Sequence, residues 1–227
     1  MGYRTMEQSS PATSRTTAAE ESIVYVIDDD RLMLGALNTL FRSIELGVKT
    51  FSSATEFLQH TLPAIPSCLV LDIRMPRLSG LDLQAELGRL GINMPVIFIT
   101  GHGDVPMSVR AMKAGAVDFL TKPFRDQEIV DAVMAALQQD RKRRSEEKSN
   151  SELRARFASL TRRERQIMGF VTGGLMNKQV AARIGISERT VKIHRGNLMR
   201  KMQAKSLAEL VVMAQIVGIR GQENPNE

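Results

Sequence analysis

Between Ser22 and Phe124 short apolar runs return at intervals, and each gives way to a helical pattern. The runs are I-V-Y-V-I, V-K-T-F, C-L-V-L, V-I-F-I and the shorter D-F-L. A strand with one wet face alternates apolar and polar residues, whereas an unbroken apolar run must be covered on both faces. That is the condition of a parallel sheet held between helical layers. The intervening segments supply the helices. Leu32, Leu37, Leu40, Phe41 and Ile44 recur at helical spacing, Ser53 and Glu56 read as a capping box, and Asp104 and Gly115 bracket a further helix. The expectation is a doubly wound α/β domain with a five-stranded parallel sheet, whose ligands bind outside the carboxyl ends of the strands.

After Phe124 the pattern is helical throughout. Ile129, Val133, Ala136 and Leu137 form an apolar stripe that runs into R-K-R-R-S-E-E-K-S-N, as a last helix of the first domain extending into a linker would. From Thr161 onward four helices can be marked. Thr161 and Glu164 form a capping box, Asn177 to Ile184 is short, Ser187 caps a longer helix, and Ser206 and Glu209 form another box. A chain of 227 residues accommodates two such domains. The expected organisation is a disordered extension over 1–21, a first domain over 22–138, a helical linker over 139–158, a small all-α domain over 159–220 and a disordered tail over 221–227.

Charge follows the same division. Up to Asp140 the chain carries net charge −5, and the remainder carries +11. A strongly basic segment suits an acidic partner. No apolar run approaches membrane-span length, and Cys68, the sole cysteine, lies within C-L-V-L as a small buried hydrophobe would. The first 21 residues lack the charged start and apolar middle of a secretion signal, and Met6 stands where a Met-Gly lipidation motif requires Ser or Thr. Cytoplasm is the expected compartment. There is no internal repeat and no Gly-rich nucleotide loop. His102 has only His60 and His194 elsewhere in the chain and no cysteine nearby, so it reads as a loop histidine rather than a metal ligand.

Asp28 and Asp29 follow the first strand, and Asp72, Thr100 and Lys122 fall at the ends of the third, fourth and fifth. A parallel sheet gathers all five at one edge. Clustered carboxylates repel one another unless a cation intervenes, and oxygen ligands beside a phosphoryl group suit Mg²⁺. At this point V-I-D-D-D, L-V-L-D-I-R-M-P, F-I-T-G-H-G-D and F-L-T-K-P-F resemble the receiver motifs of response regulators, especially the FixJ type. The resemblance implies that Asp72 accepts a phosphoryl group from a histidine kinase. It implies that Asp28, Asp29 and Asp72 hold Mg²⁺ with the backbone carbonyl of Arg74, and that Thr100, Lys122 and Phe119 bind the phosphoryl group and relay the switch. It also implies a cis Lys122–Pro123 bond.

In S-E-R-T-V-K-I-H-R-G-N-L-M-R-K-M, rotation by about 100° per residue from an inward Val191 brings Leu198 and Met202 to the core side. The opposite face collects Arg189, Lys192, Ile193, Gly196 and Arg200, with Asn197 at its edge. The preceding N-K-Q-V-A-A-R-I is joined through a short turn at Gly185 and Ile186, the arrangement that presents a recognition helix to a major groove. Through L-T-R-R-E, N-K-Q-V-A and T-V-K-I-H the segment resembles the LuxR-type helix-turn-helix. That resemblance implies base-facing positions at Lys192, Ile193 and Gly196 and makes Asn177, Lys178, Arg189, Thr190, His194, Asn197 and Arg200 candidate DNA contacts. Gly196 replaces a basic residue that some members carry.

The two resemblances together imply a transcription regulator that dimerises on phosphorylation and binds a double-stranded operator, engaging RNA polymerase if it activates. Beyond Mg²⁺-dependent phosphorylation and dephosphorylation of Asp72, no enzyme activity is expected. Two rivals are a haloacid-dehalogenase-type phosphatase using Asp28 in D-D-D-R-L as nucleophile, and a constitutive DNA-binding protein with a vestigial receiver.

Overall fold

The computed structural model describes residues 22–101 and 105–219. They divide into two compact units, with the break between Lys142 and Arg143. The first is built on five strands: β1 (Ile23–Ile27), β2 (Gly47–Phe51), β3 (Ser67–Asp72), β4 (Val96–Thr100) and β5 (Asp118–Thr121). All neighbouring pairs are parallel, in the order β2-β1-β3-β4-β5. The crossovers are α1 (Arg31–Ser43), α2 (Ala54–Leu58), α3 (Gly80–Arg89) and α4 (Val105–Lys113), and α5 (Asp126–Ala158) follows β5.

The unbroken strands are buried on both faces because alternate residues feed two cores. Tyr25, Ile27, Leu69, Leu71 and Phe98 pack with Phe57 of α2, Leu83 and Leu87 of α3 and Ala111 of α4. Val24, Val26, Cys68, Val70, Ile97 and Ile99 pack with Leu37 and Phe41 of α1 and with Ile129, Val133, Ala136 and Leu137 of α5. Cys68 is buried as expected; burial, with the charge of Asp140 added, pushes its thiol far above the ordinary range. Leu32 and Ile44, at the two ends of the expected α1 stripe, are exposed, and only Leu37 and Phe41 of the helix are fully buried.

The chain switches direction between β1 and β3, where strand order reverses, and this opens the crevice that α/β sheets use for ligands. At the opposite end of β3 the carboxylate of Asp140 on α5 is fully buried and accepts a hydrogen bond from the Ser67 amide at 2.9 Å. The helix continues through this point to Ala158 without a break. Its charged stretch is supported by an Arg143–Glu147 pair at 2.7 Å, the i,i+4 spacing that reinforces an exposed helix.

The second unit continues with α6 (Arg162–Thr172), α7 (Asn177–Ile184), α8 (Glu188–Met202) and α9 (Leu207–Ile216). Thr161 and Glu164 form the expected reciprocal capping box. At Ser53 and Ser206 the box is shifted. Each serine caps its helix, but Glu56 reaches back to Ser52 and Glu209 to Lys205, one residue further than the pattern predicts. Val191, Leu198 and Met202 of α8 enter a core with Ile167, Phe170, Val180 and Leu210. Gly185 closes α7 at φ 69°, a left-handed position that a glycine takes without steric cost. Among the described residues no helix is long and apolar enough to cross a membrane.

Candidate functional site

Three consecutive aspartates after β1 have three different environments. Asp28 is buried and accepts from the Asp30 amide at 2.9 Å, Asp29 is exposed, and Asp30 caps α1 through the Leu32 amide at 2.8 Å. Asp72 ends β3, 5% exposed, and accepts from the Arg74 amide at 3.1 Å. Lys122, just past β5, reaches across the switch point: its Nζ lies 2.6 Å from Asp28 and 3.3 Å from Asp72. Its backbone amide donates to the Thr100 carbonyl at 2.7 Å, which fixes the end of β5 against β4, and the Lys122–Pro123 bond is cis. Thr100 is fully buried, and Phe119 is half-buried against the core that contains Leu71 and Phe98.

Carboxylate oxygens of Asp28, Asp29 and Asp72 come within 4.8 Å of one another. One ammonium against three carboxylates leaves the pocket short of positive charge. Burial raises the Asp72 carboxyl above its ordinary range; Lys122 opposes this and the charges of Asp28 and Asp29 reinforce it. Burial alone would lower Lys122, but its hydrogen bond and charge contact with Asp28, joined by Asp72, hold it above its ordinary value. An all-oxygen set with surplus negative charge fits a hard divalent cation. Beside it a cavity of about 590 Å³, lined by Asp29, Arg74, Met75, Ser79, Met107 and Arg110 among others, opens the pocket to solvent. Asp28, enclosed and tied to Lys122, lacks the access that the phosphatase reading requires of a nucleophile.

On α8 the outward face is as the helical rotation predicts. Arg189, Lys192, Ile193, Gly196 and Arg200 are exposed, Ile193 to 58%. A Cβ on Gly196 would meet nothing within 4 Å, so this part of the face is open. Asn197 and Arg200 pair along the surface at 2.9 Å, Thr190 is joined to the Ser187 cap at 2.8 Å, and His194 is half-buried. On α7, Lys178 is exposed and Asn177 accepts from Arg195 at 3.1 Å. The far end of α8 is anchored by Lys201, which donates to the buried Glu164 of α6 at 2.7 Å.

Residues 24–134 match the family model of the response regulator receiver domain, and residues 158–214 match that of the bacterial regulatory proteins of the luxR family. Over 204 residues, 90% of each chain, the sequence is 57% identical to nodulation protein W of Bradyrhizobium diazoefficiens. The chain is a response regulator. It is also 47% identical to the transcriptional regulatory protein FixJ of Azorhizobium caulinodans, over 86% of this chain and 93% of that one. A low-resolution structure of the response regulator StyR aligns with a TM-score of 0.78 at 46% identity, covering 86% of this chain and 98% of that one. A receiver followed by a LuxR-type DNA-binding domain makes this response regulator a phosphorylation-dependent transcription regulator, with a histidine kinase and DNA as its partner classes. Receivers of this family generally bind Mg²⁺ at their acidic pocket.

Three supporting residues escaped the reading of the sequence. Gly80 opens α3 directly behind Asp72: a Cβ there would collide with the Asp72 carbonyl oxygen and crowd Ile73. Nothing in L-S-G-L marks that close approach. Asp140 and Arg195 act on partners 73 and 18 residues away, distances over which a single sequence carries no pairing signal. The expected extension over 1–21, the tail over 221–227, His102 and the Asp104 helix start lie outside the described residues, as does residue 220.

Proposed function

We propose that this response regulator takes its phosphoryl group on Asp72 and uses the outward face of α8 to read an operator. The observation that carries the reading is the Lys122 ammonium bridging Asp28 and Asp72 at the carboxyl edge of the sheet, in the same chain as an open basic helix face. An Asp72 carboxylate oxygen attacks the phosphorus of the kinase phosphohistidine; the new O–P bond forms as the N–P bond breaks, and the departing imidazole takes up a proton. Asp28, Asp29, Asp72 and the Arg74 carbonyl would hold Mg²⁺, which supplies positive charge to the phosphoryl oxygens. Lys122 neutralises the charge developing there, and phosphoryl transfer depends mainly on such positioning and neutralisation. The same pocket permits self-phosphorylation from a small phosphodonor and self-dephosphorylation, in which water displaces the Asp72 carboxylate and inorganic phosphate leaves.

The added charge and acceptor oxygens engage the Thr100 hydroxyl and Lys122, and Phe119 turns inward as Thr100 is drawn toward the phosphoryl group. The surface this alters contains α4, whose Val105, Val109 and Met112 form an exposed apolar stripe. That stripe supports homodimerisation on phosphorylation, which brings two recognition helices to two half-sites. Lys192, Ile193 and Gly196 face the bases; Asn177, Lys178, Arg189, Thr190, His194, Asn197 and Arg200 contact the backbone or the groove edge. The regulator acts in the cytoplasm as an activator that engages RNA polymerase. Its receiver spans 22–138, its linker 139–158 and its DNA-binding domain 159–220.

The test is retention of duplexes from a randomised pool by the full chain, before and after treatment with acetyl phosphate and Mg²⁺. Phosphorylation is expected to tighten binding and to enrich a two-half-site sequence. Equal retention and equal enrichment in both states would overturn phosphorylation control of DNA binding.

A further inference from the structure

Arg195 lies off the outward face of α8, on the flank toward α7, and its guanidinium donates to the Asn177 side chain at 3.1 Å. A guanidinium carries donors only, so the atom of the Asn177 amide that faces it must be the oxygen. The orientation of that amide is thereby decided, and its NH₂ group is turned away from Arg195. No hydrogen bond occupies that NH₂ among the described residues.

Asn177 is also the first residue of α7. The amides of the first helical residues have no intrahelical acceptor, and a serine, threonine or aspartate at the cap ordinarily fills one of them. Here the cap is Met176, whose thioether offers the helix amides no oxygen acceptor, while Gln179 accepts from the Met176 amide at 2.8 Å. Met176 is itself 69% exposed. The start of α7 therefore presents backbone amides, one side-chain NH₂ of fixed orientation and the exposed Lys178 next to it.

We propose that Arg195 is a positioning residue for DNA binding: by holding the Asn177 oxygen it commits the Asn177 NH₂ to one backbone phosphate at the first turn of α7. The proposal rests on the reading of this unit as the DNA-binding domain. It assigns Arg195 a role through Asn177 rather than through its own charge, and that distinction can be measured.

The experiment uses the full chain, phosphorylated with acetyl phosphate, and a duplex selected from a randomised pool by the wild-type protein. Arg195→Ala and Asn177→Ala are each expected to weaken binding about fivefold to tenfold, as loss of a hydrogen bond to a charged group does. The double variant should be no weaker than Asn177→Ala alone, because both remove the same contact. The slope of log affinity against log salt should stay unchanged in Arg195→Ala, whereas a direct phosphate contact by Arg195 would reduce it by about one counterion. Asn177→Asp keeps an oxygen for Arg195, and with it the link between helices, but turns a second oxygen toward the phosphate. It should bind less tightly than Asn177→Ala while melting no lower than wild type. Additive losses in the double variant, a reduced salt slope in Arg195→Ala, or wild-type binding by Asn177→Asp would each overturn the proposal and leave the DNA-binding reading intact. Failure of the wild-type protein to select any duplex would overturn both.

Discussion

The two functional regions are built in opposite ways. In the receiver the chemistry comes from residues far apart in sequence, delivered by the ends of separate strands and then enclosed: Asp28, Asp72 and Thr100 are all nearly or fully buried. On the DNA-binding unit most of the corresponding residues follow one another along α8, where Arg189, Lys192, Ile193, Gly196 and Arg200 stand in solvent. Enclosure makes each receiver group depend on the others. Lys122 satisfies two carboxylates at once, and the Asp72 carboxyl is displaced upward by its surroundings. Exposure leaves the α8 side chains nearly independent, each with a small share of a large surface. The difference predicts all-or-none effects in one region and graded effects in the other.

The largest expected effect follows from having one acceptor in an enclosed pocket. Acetyl phosphate with Mg²⁺ should add one acid-labile phosphoryl group to the full chain, and Asp72→Asn should abolish the addition while leaving the fold intact. Intact-mass measurement reads this directly. Stoichiometric phosphorylation of Asp72→Asn would move the acceptor elsewhere and would break the contrast between one enclosed acceptor and many exposed contacts.

Next is the wall of the pocket rather than its chemistry. Gly80→Ala places a methyl group against backbone atoms of Asp72 and Ile73, which have no flexible end to move aside. A cost of about 2–3 kcal/mol is expected from such overpacking, with slowed phosphorylation because Asp72 itself is pushed. Denaturant unfolding and the acetyl phosphate rate measure the two consequences. Gly196→Ala is the control from the exposed region, where a Cβ meets nothing, and it should be neutral or slightly stabilising. A pair of glycine variants with equal effects would remove the distinction between the regions.

The sequence revealed the parts of this molecule that repeat a local rule. Unbroken apolar runs marked the buried strands, strand ends marked Asp28, Asp72, Thr100 and Lys122, and the rotation of α8 marked its two faces. It was silent where a residue acts across space. Gly80 matters because of a backbone brought up from β3, Asp140 because Ser67 meets it across the sheet edge, and Arg195 because α7 folds back on α8. The shifted boxes at Ser53 and Ser206 have the same origin. A glutamate one turn into a helix can reach either of two amides, and side-chain spacing alone does not choose between them.

Glu164 tests whether the DNA-binding unit contains a coupled buried group of the receiver kind. It is 3% exposed. Burial would raise its carboxyl, but the hydrogen bonds from Lys201 and from the amide and hydroxyl region of Thr161 overcome this and hold it below its ordinary value near 4.5. A carboxylate lowered on folding stabilises the native state fully above that ordinary value, and the contribution is lost as pH falls through the folded one. Glu164→Gln should therefore cost about 1–2 kcal/mol at neutral pH and progressively less as the pH is taken below 4.5. Unfolding of both proteins across that range would show it, and a difference that does not shrink with acid would remove Glu164 as the source.

The smallest effect, and the sharpest probe of the exposed region, belongs to Ile193. It is an apolar side chain left 58% exposed among cations, and on a face directed at a major groove its natural partner is a thymine methyl group. Ile193→Ala removes methyl contacts and no charge. Affinity for the selected duplex should fall by only about fivefold, close to 1 kcal/mol for the carbon surface lost, and the slope against salt should not change. Preference at one base pair should relax, because the penalty for replacing that thymine disappears with the side chain that sensed it. Lys192→Ala offers the contrasting outcome: if its ammonium meets a phosphate, binding weakens across all sequences and the slope falls by about one counterion. Selection from randomised duplexes at two salt concentrations separates the two variants. Unaltered base preference in Ile193→Ala would mean that the exposed face of α8 does not read bases through this residue, and the independence of its contacts would have to be sought at Lys192 and Arg189 instead.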